Sequence, residues 1–278
     1  MGQSLVSTLL AGLLLASAPL ALARTDPQSR PGDGVEVGNA SVVRNLVPAA
    51  ALEQAAAQEY SQIKRNAAAK GALAPDNHPQ VIRLRRIARD LLPHVGRFHR
   101  EAARWPWEVN LIGSRQLNAF CMPGGKIAFY TGIIDTLQLT DDEIAMIMGH
   151  EIAHALREHA RERVAKTQIT QLGAALLGEF IGGGQYSGLI RAGGSLLTLK
   201  FSRDDESEAD LVGLDLAARA GYDPRAGITL WQKMGAASKG APPAWLSTHP
   251  AGKDRIAEIR RHLPEVMPLY ETARRPER

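Results

Sequence analysis

His150-Glu151-Ile152-Ala153-His154 is an HExxH pentapeptide. On a helix, residues four apart project from one face, so both imidazoles can reach a single metal ion. The glutamate beside the first histidine is then placed to work on an attacking water rather than on the metal. Metal-assisted hydrolysis is the chemistry this spacing supports, and zinc is the ion it suits. A long helix is signalled around it. Thr140-Asp141-Asp142-Glu143 is a capping-box pattern with acidic residues in the first turn. Ile144, Ile147, Met148, Ile152 and Leu156 supply the apolar positions.

A third protein ligand separates the kinds of HExxH hydrolase. An HExxHxxGxxH continuation fails, because the added positions are Arg157 and Ala160. His159 stands one place out of that register, on the wrong face of a continuous helix, and reads as a surface or packing histidine. The run Phe201-Ser202-Arg203-Asp204-Asp205-Glu206-Ser207-Glu208-Ala209-Asp210 opens another helix, with Ser202 as N-cap. Glu206 and Asp210 are four apart and share a face, and Gly213 continues that face where a second helix must come close. Glu206 can complete a His2Glu site, while Asp210 can accept the N–H of a ligand histidine, His150, and fix its tautomer. Taken alone the run would read equally as a solvated acidic helix start; the upstream HExxH favours ligation.

These elements sit in a chain of 278 residues, long enough for one large domain or two small ones. Hydrophobic residues make up 45% and charged residues 22%, a balance that excludes wholesale disorder. The net charge is +4, and seven arginines between Arg83 and Arg104 supply much of the basic character. Such a run could face an anionic membrane or nucleic acid. Val81, Leu84, Ile87, Ala88, Leu91 and Leu92 instead give it an apolar side, so it reads as the solvated face of an amphipathic helix over Gln80–Ala103, interrupted at Pro93. No nucleic-acid partner is expected. Cys121 is the sole cysteine and reads as a buried structural thiol, which leaves no internal disulfide.

Four stretches are expected. Residues 1–23 form a signal peptide, with apolar Leu5–Ala23 ending in Ala21-Leu22-Ala23; an uncleaved membrane anchor is the alternative. Residues 24–48 form a flexible linker, 49–104 an N-terminal helical segment, and 105–278 the hydrolase domain. Strands are expected at Trp107–Ile112, Leu117–Met122 and Lys126–Tyr130, the last two joined by Pro123-Gly124-Gly125. Gly182-Gly183-Gly184 and Gly193-Gly194 bracket an expected flexible loop, a candidate gate.

The chain resembles the HtpX-like and CAAX-prenyl-protease-like zinc metallopeptidases, and among them the soluble periplasmic, LoiP- and BepA-like branch. The resemblance rests on Asn118-Ala119-Phe120, Pro123-Gly124-Gly125-Lys126-Ile127 and Thr131-Gly132. It continues through Gly149–His154, Phe201-Ser202-Arg203 with Glu206, Ala209 and Asp210, and Ser247-Thr248-His249-Pro250 with Arg255. It covers about Glu108 to His262. It implies an α+β fold: a mainly helical zincin (gluzincin-type) metallopeptidase domain with a small antiparallel sheet over the HExxH helix. It also implies that His249 and Arg255 stabilise the reaction's oxyanion, that His249 can alternatively close the metal's open position, and that Asn118, Ala119 and Phe120 bind substrate along an edge strand. By spacing alone His249 would be a loop residue and Arg255 a helix-surface cation.

The combined expectation is an endopeptidase with one Zn2+ per chain, held by His150, His154 and Glu206, with Glu151 as general base. Its substrates would be unfolded or misfolded envelope proteins in the periplasm, with peripheral membrane association as an option. The rival is a non-catalytic, zinc-stabilised factor that holds unfolded clients. Glu151 argues against it, since a purely structural metal site has no use for that residue.

Overall fold

The computed structural model describes residues 33–172, 195–238, 243–250 and 254–274. The expected signal peptide and the glycine-bracketed loop lie outside them.

The motif helix is the centre of the molecule. Helix α4 (Asp141–Leu156) starts at Thr140, whose side chain accepts from Glu143 N while the Glu143 carboxylate accepts from Thr140 N, so the capping box forms. From Glu143 to Leu156 every residue is buried. A helix apolar on nearly all sides has to be enclosed, and here a sheet and several helices enclose it. The sheet holds β1 (Glu108–Ile112), β2 (Ala119–Met122) and β3 (Lys126–Tyr130) in the order β1-β3-β2. The expected antiparallel pairing holds for β2 and β3, but β1 and β3 run parallel, so the sheet is mixed. The turn between β2 and β3 needs positive φ at Gly124 and Gly125, +77° and +80°. β2 is left at the edge.

Alternation along the strands sends side chains to two cores. Val109, Leu111, Ala119, Ile127 and Phe129 join the main core with α4; Ile112, Phe120, Met122 and Ala128 face a second core with Leu52, Ala56 and Tyr60 of α1 (Ala49–Ala69). The basic stretch is broken near Pro93 as expected: α2 (Pro79–Leu91) gives way to 3-10 turns at Leu92–Arg97 and Arg100–Arg104. Val81, Leu84, Ile87, Ala88 and Leu91 of α2 enter the same core as α4. Arg83 and Arg86 both pair with Asp141, and Arg85 with Asp76, which uses the basic face internally.

The remaining helices are α3 (Thr131–Leu137), α5 (His159–Leu172), α6 (Arg203–Arg219), α7 (Ala226–Ala237), α8 (Ala244–Thr248) and α9 (Arg255–Ala273). The expected linker is corrected where it is described. Val35 is buried, its N–H donates to Asp215 Oδ2 at 3.0 Å, and its carbonyl accepts from Arg97. Gly38 O and Val47 O accept from Arg157 and Arg161. Backbone with no regular partners is thus tied down by arginines. Among the described residues no helix is long and apolar enough to cross a membrane.

Candidate active site

Helices α4 and α6 carry the site and cross at two glycines. A Cβ on Gly149 would lie 2.8 Å from Gly213 O, and one on Gly213 would lie 2.7 Å from His150 N. Only glycine at both positions lets the backbones come this close, which confirms the role read for Gly213 and adds Gly149 to it. Ser202 caps α6 by accepting from Asp205 N, with Asp205 completing the box. The i, i+4 spacing then turns Glu206 and Asp210 together towards α4.

Asp210 Oδ1 lies 3.0 Å from His150 Nδ1. A carboxylate only accepts, so the proton sits on Nδ1 and His150 Nε2 keeps a free lone pair. His150 Nε2 and His154 Nε2 are 3.0 Å apart, and Glu206 Oε2 and Oε1 lie 3.6 and 3.4 Å from them respectively. Donor atoms about 2.0–2.2 Å from a tetrahedral zinc stand roughly 3.3 Å from one another. These three side chains therefore fit one zinc ion. Burial pushes the His154 imidazole well below its usual pKa, against the nearby Glu206 carboxylate, so the ring is neutral as a ligand must be. Burial also opposes charge on Glu206, but the surrounding imidazoles of His154, His249 and His150 hold its carboxyl far below the usual range.

His249, which follows α8, joins the cluster: its Nδ1 is 3.0 Å from Glu206 Oε1 and 3.3 Å from His150 Nε2. The potential ligand atoms of His150, His154, Glu206 and His249 all lie within 4.8 Å of one another. Burial lowers the His249 pKa, but the Glu151 and Glu206 carboxylates outweigh it and raise the net value. Glu151 is not among these four residues. Its Oε1 accepts from the indole N–H of Trp245 at 2.5 Å and stands 3.5 Å from His249 Nε2.

Arg255 differs from the expectation. It is buried, and its Nε and Nη1 donate to Asp210 Oδ2 and Glu206 Oε2 at 2.6 Å each, while Nη2 donates to Asp210 Oδ1. The guanidinium also lies over the Trp231 ring, 3.9 Å from its centroid. Three of its N–H groups bond the two carboxylates, and Nη2 also lies 3.3 Å from His150 Nδ1, so Arg255 anchors the carboxylates and is not among the residues lining the cleft. Burial works against the Asp210 charge, and Arg255 foremost reverses this, leaving its carboxyl below the usual range.

His159 also departs from its expected place. The α4 helix stops at Arg157, Glu158 takes φ +57°, and α5 restarts at His159. The reversal carries His159 back towards His154, with 2.9 Å between their Nδ1 atoms, and His159 is 2% exposed. Glu208 Oε2 lies 2.8 Å from His159 Nε2. Phe201 stacks on His154 at 4.0 Å, and Trp245 stacks on His249 at 4.9 Å. Trp245 and Glu208 were given no role in the sequence.

A cleft of about 470 Å³ opens over this cluster, lined by Asn118–Pro123 on one side and Leu196, Leu197, Leu199 and Phe201 on the other, with Glu151, His154, Thr248 and His249 at its base. Asn118, Ala119 and Phe120 are thus at the cleft, on and just before the edge strand. Cys121 is half-buried on the same strand; burial above all, then the Glu151 charge, keeps its thiol well above the usual pKa and inert as a nucleophile.

The family model described as Peptidase family M48 matches residues 80–263. The chain is 38% identical over 168 residues to the mitochondrial metalloendopeptidase OMA1 of Arabidopsis thaliana, covering 60% of this chain and 33% of that protein. It is 35% identical over 207 residues to OMA1 of Schizosaccharomyces pombe, covering 72% of this chain and 58% of that protein. It is 29% identical over 194 residues to the metalloprotease LoiP of Escherichia coli, covering 69% and 73%. The chain thus spans a third to three fifths of the two OMA1 proteins. Mitochondrial and bacterial relatives both match, which gives the family and not the branch.

Proposed function

The chain belongs to peptidase family M48, and from that premise we propose that it is a zinc-dependent endopeptidase acting on unfolded or misassembled proteins of the bacterial envelope. One observation carries the reading. Two imidazole Nε2 atoms and a carboxylate converge on a single buried point, beside a glutamate that takes no part in the convergence and at the base of a cleft. A purely structural metal site, as in a client-holding factor, would need neither Glu151 nor an open cleft.

His150, His154 and Glu206 would hold the ion. A zinc ion there supplies Lewis-acid polarisation of the scissile carbonyl and acidifies a water. Glu151 takes the proton of the attacking water and delivers it to the departing amine. Trp245, donating to Oε1, fixes that carboxylate so that its other oxygen is free for the proton. His249 stands where it can donate to the developing oxyanion. In the resting arrangement its Nδ1 lies among the ligand atoms, which supports a second, closing role. Arg255 and Asp210 position Glu206 and His150. A substrate peptide pairs with the free edge of β2 at Asn118, Ala119 and Phe120, drawing affinity from main-chain bonds and so accepting varied sequences. The apolar residues Leu196, Leu199 and Phe201 across the cleft favour hydrophobic side chains of the kind that unfolded proteins expose.

Residues 1–23 have the pattern of an export signal, which supports a periplasmic setting, with an uncleaved membrane anchor as the alternative. Purified protein should degrade casein, lose the activity on chelation and regain it with stoichiometric zinc. Cleavage that survives exhaustive chelation would overturn the proposal.

A further inference from the structure

The site holds one more set of polar side chains than the reaction uses. Behind His154, away from the cleft, stand His159, Glu208 and Arg157, all poorly exposed. His159 Nδ1 is 2.9 Å from His154 Nδ1, and His159 Nε2 is 2.8 Å from Glu208 Oε2. Arg157 Nη2 lies 2.7 Å from Glu208 Oε1 and also donates to Gly38 O.

Proton placement along this line follows from the groups at its ends. Glu208 only accepts, so His159 Nε2 carries a hydrogen. At the other end, a His154 that ligates through Nε2 carries its hydrogen on Nδ1, so His159 Nδ1 is the acceptor between the two imidazoles. That leaves the lone pair of His154 on Nε2, which faces His150 Nε2 and Glu206. We propose that His159 and Glu208 are positioning residues that hold His154 in its metal-ligating tautomer and orientation, as Asp210 does directly for His150. The two ligand histidines are therefore held differently: one by a carboxylate, the other by a carboxylate acting through an imidazole. Ligand histidines commonly donate their second N–H to a carboxylate, carbonyl or water, and here a histidine takes that place. The device exists because α4 ends early: positive φ at Glu158 turns the chain so that the first residue of α5 faces back onto the last turn of α4. Arg157 fixes Glu208 and ties it to the segment around Gly38.

The inference rests on the metal-centre reading, and its test is metal affinity rather than peptide cleavage. Zinc dissociation constants would be measured by chelator competition on apoprotein shown to be folded by circular dichroism, together with the visible spectrum of the cobalt-substituted form. His159→Ala should weaken zinc binding about tenfold to a hundredfold and alter the cobalt bands. His159→Asn, whose side-chain oxygen can take the place of Nδ1 as acceptor, should recover most of the loss. Glu208→Gln, which keeps an acceptor but no charge, should fall between wild type and His159→Ala. Unchanged affinity and cobalt spectrum in folded His159→Ala would overturn the proposal. If His159→Ala does not fold, wild-type affinity in Glu208→Gln together with His159→Asn no better than an unrelated folded substitution, His159→Leu, would do so. Glu206→Ala in the same assay is the control: if it keeps wild-type zinc affinity, the metal centre itself is misassigned, a failure distinct from that of the relay.

Discussion

Replacing Gly213 by alanine adds one methyl group at the point where α6 crosses α4. Its carbon would lie 2.7 Å from His150 N, 2.9 Å from Gly149 C and 3.1 Å from His150 Cα, all backbone atoms that no rotamer change can move aside. Ordinary contact needs about 3.5 Å, so the helices must separate by roughly 0.5–1 Å. Overpacking of this kind costs about 1–3 kcal/mol, offset by up to about 1 kcal/mol from alanine's better helix propensity. The net loss should be about 1–2 kcal/mol. The functional loss should be larger in proportion. Glu206 and Asp210 ride on α6, His150 and His154 on α4, and a site of this kind tolerates only about 0.5 Å of misplacement. Zinc affinity should fall at least tenfold, equivalent to about 1.4 kcal/mol. Chelator competition and thermal melts with and without zinc would measure both quantities. If Gly213→Ala melts as wild type does and binds zinc as tightly, the close helix crossing does not set the ligand geometry.

Glu206→Ala should lose zinc and the zinc-dependent part of its thermal stability together, while Asp210→Ala should lose about tenfold to a hundredfold in affinity; metal analysis after mild chelation checks both. His249→Ala should lower turnover about a hundredfold, or roughly 2.7 kcal/mol, less if opening the resting site offsets part of the loss; steady-state peptide cleavage reads it, and wild-type turnover would remove the oxyanion role. Glu143, at the start of α4, is held below its usual pKa because hydrogen bonds from Lys233, the Thr140 backbone and Thr229 outweigh its burial. A depressed carboxyl stabilises the fold above its unfolded pKa of about 4.3 and loses that contribution as pH falls through the lower folded value. Melts of apoprotein should therefore find Glu143→Gln less stable by about 1–2 kcal/mol at pH 7, with the gap closing below about pH 4.

What the sequence made legible is what local spacing controls. HExxH and the Glu206–Asp210 pair are i, i+4 patterns, and the helix caps at Thr140 and Ser202 are hydrogen bonds across three residues, so both helices and their facing sides could be read directly. Long-range features could not. The parallel pairing of β1 with β3 depends on how the intervening chain crosses over, which alternation of side chains does not encode. His159 was misplaced because the motif helix was taken as continuous, and a left-handed glutamate at 158 leaves no compositional trace where glycine would have. Trp245 precedes the Ser247–Pro250 element by two residues, and nothing local says that its indole reaches Glu151. The packed segment 33–48 has the composition of a linker because its order comes from arginines far along the chain. Arg255 was assigned to the cleft from its motif, whereas the carboxylates around it draw the guanidinium behind the ligands.

The most direct test of the account is a side-by-side comparison of wild type and Glu151→Gln, with zinc content and casein cleavage measured on the same preparations. Glu151 lies beside the ligand cluster without belonging to it. The variant should bind one zinc per chain, melt close to wild type and retain about a hundredth of the activity or less, since general base catalysis contributes about a hundredfold to ten-thousandfold. A zinc-loaded Glu151→Gln that cleaves casein at the wild-type rate would contradict the account.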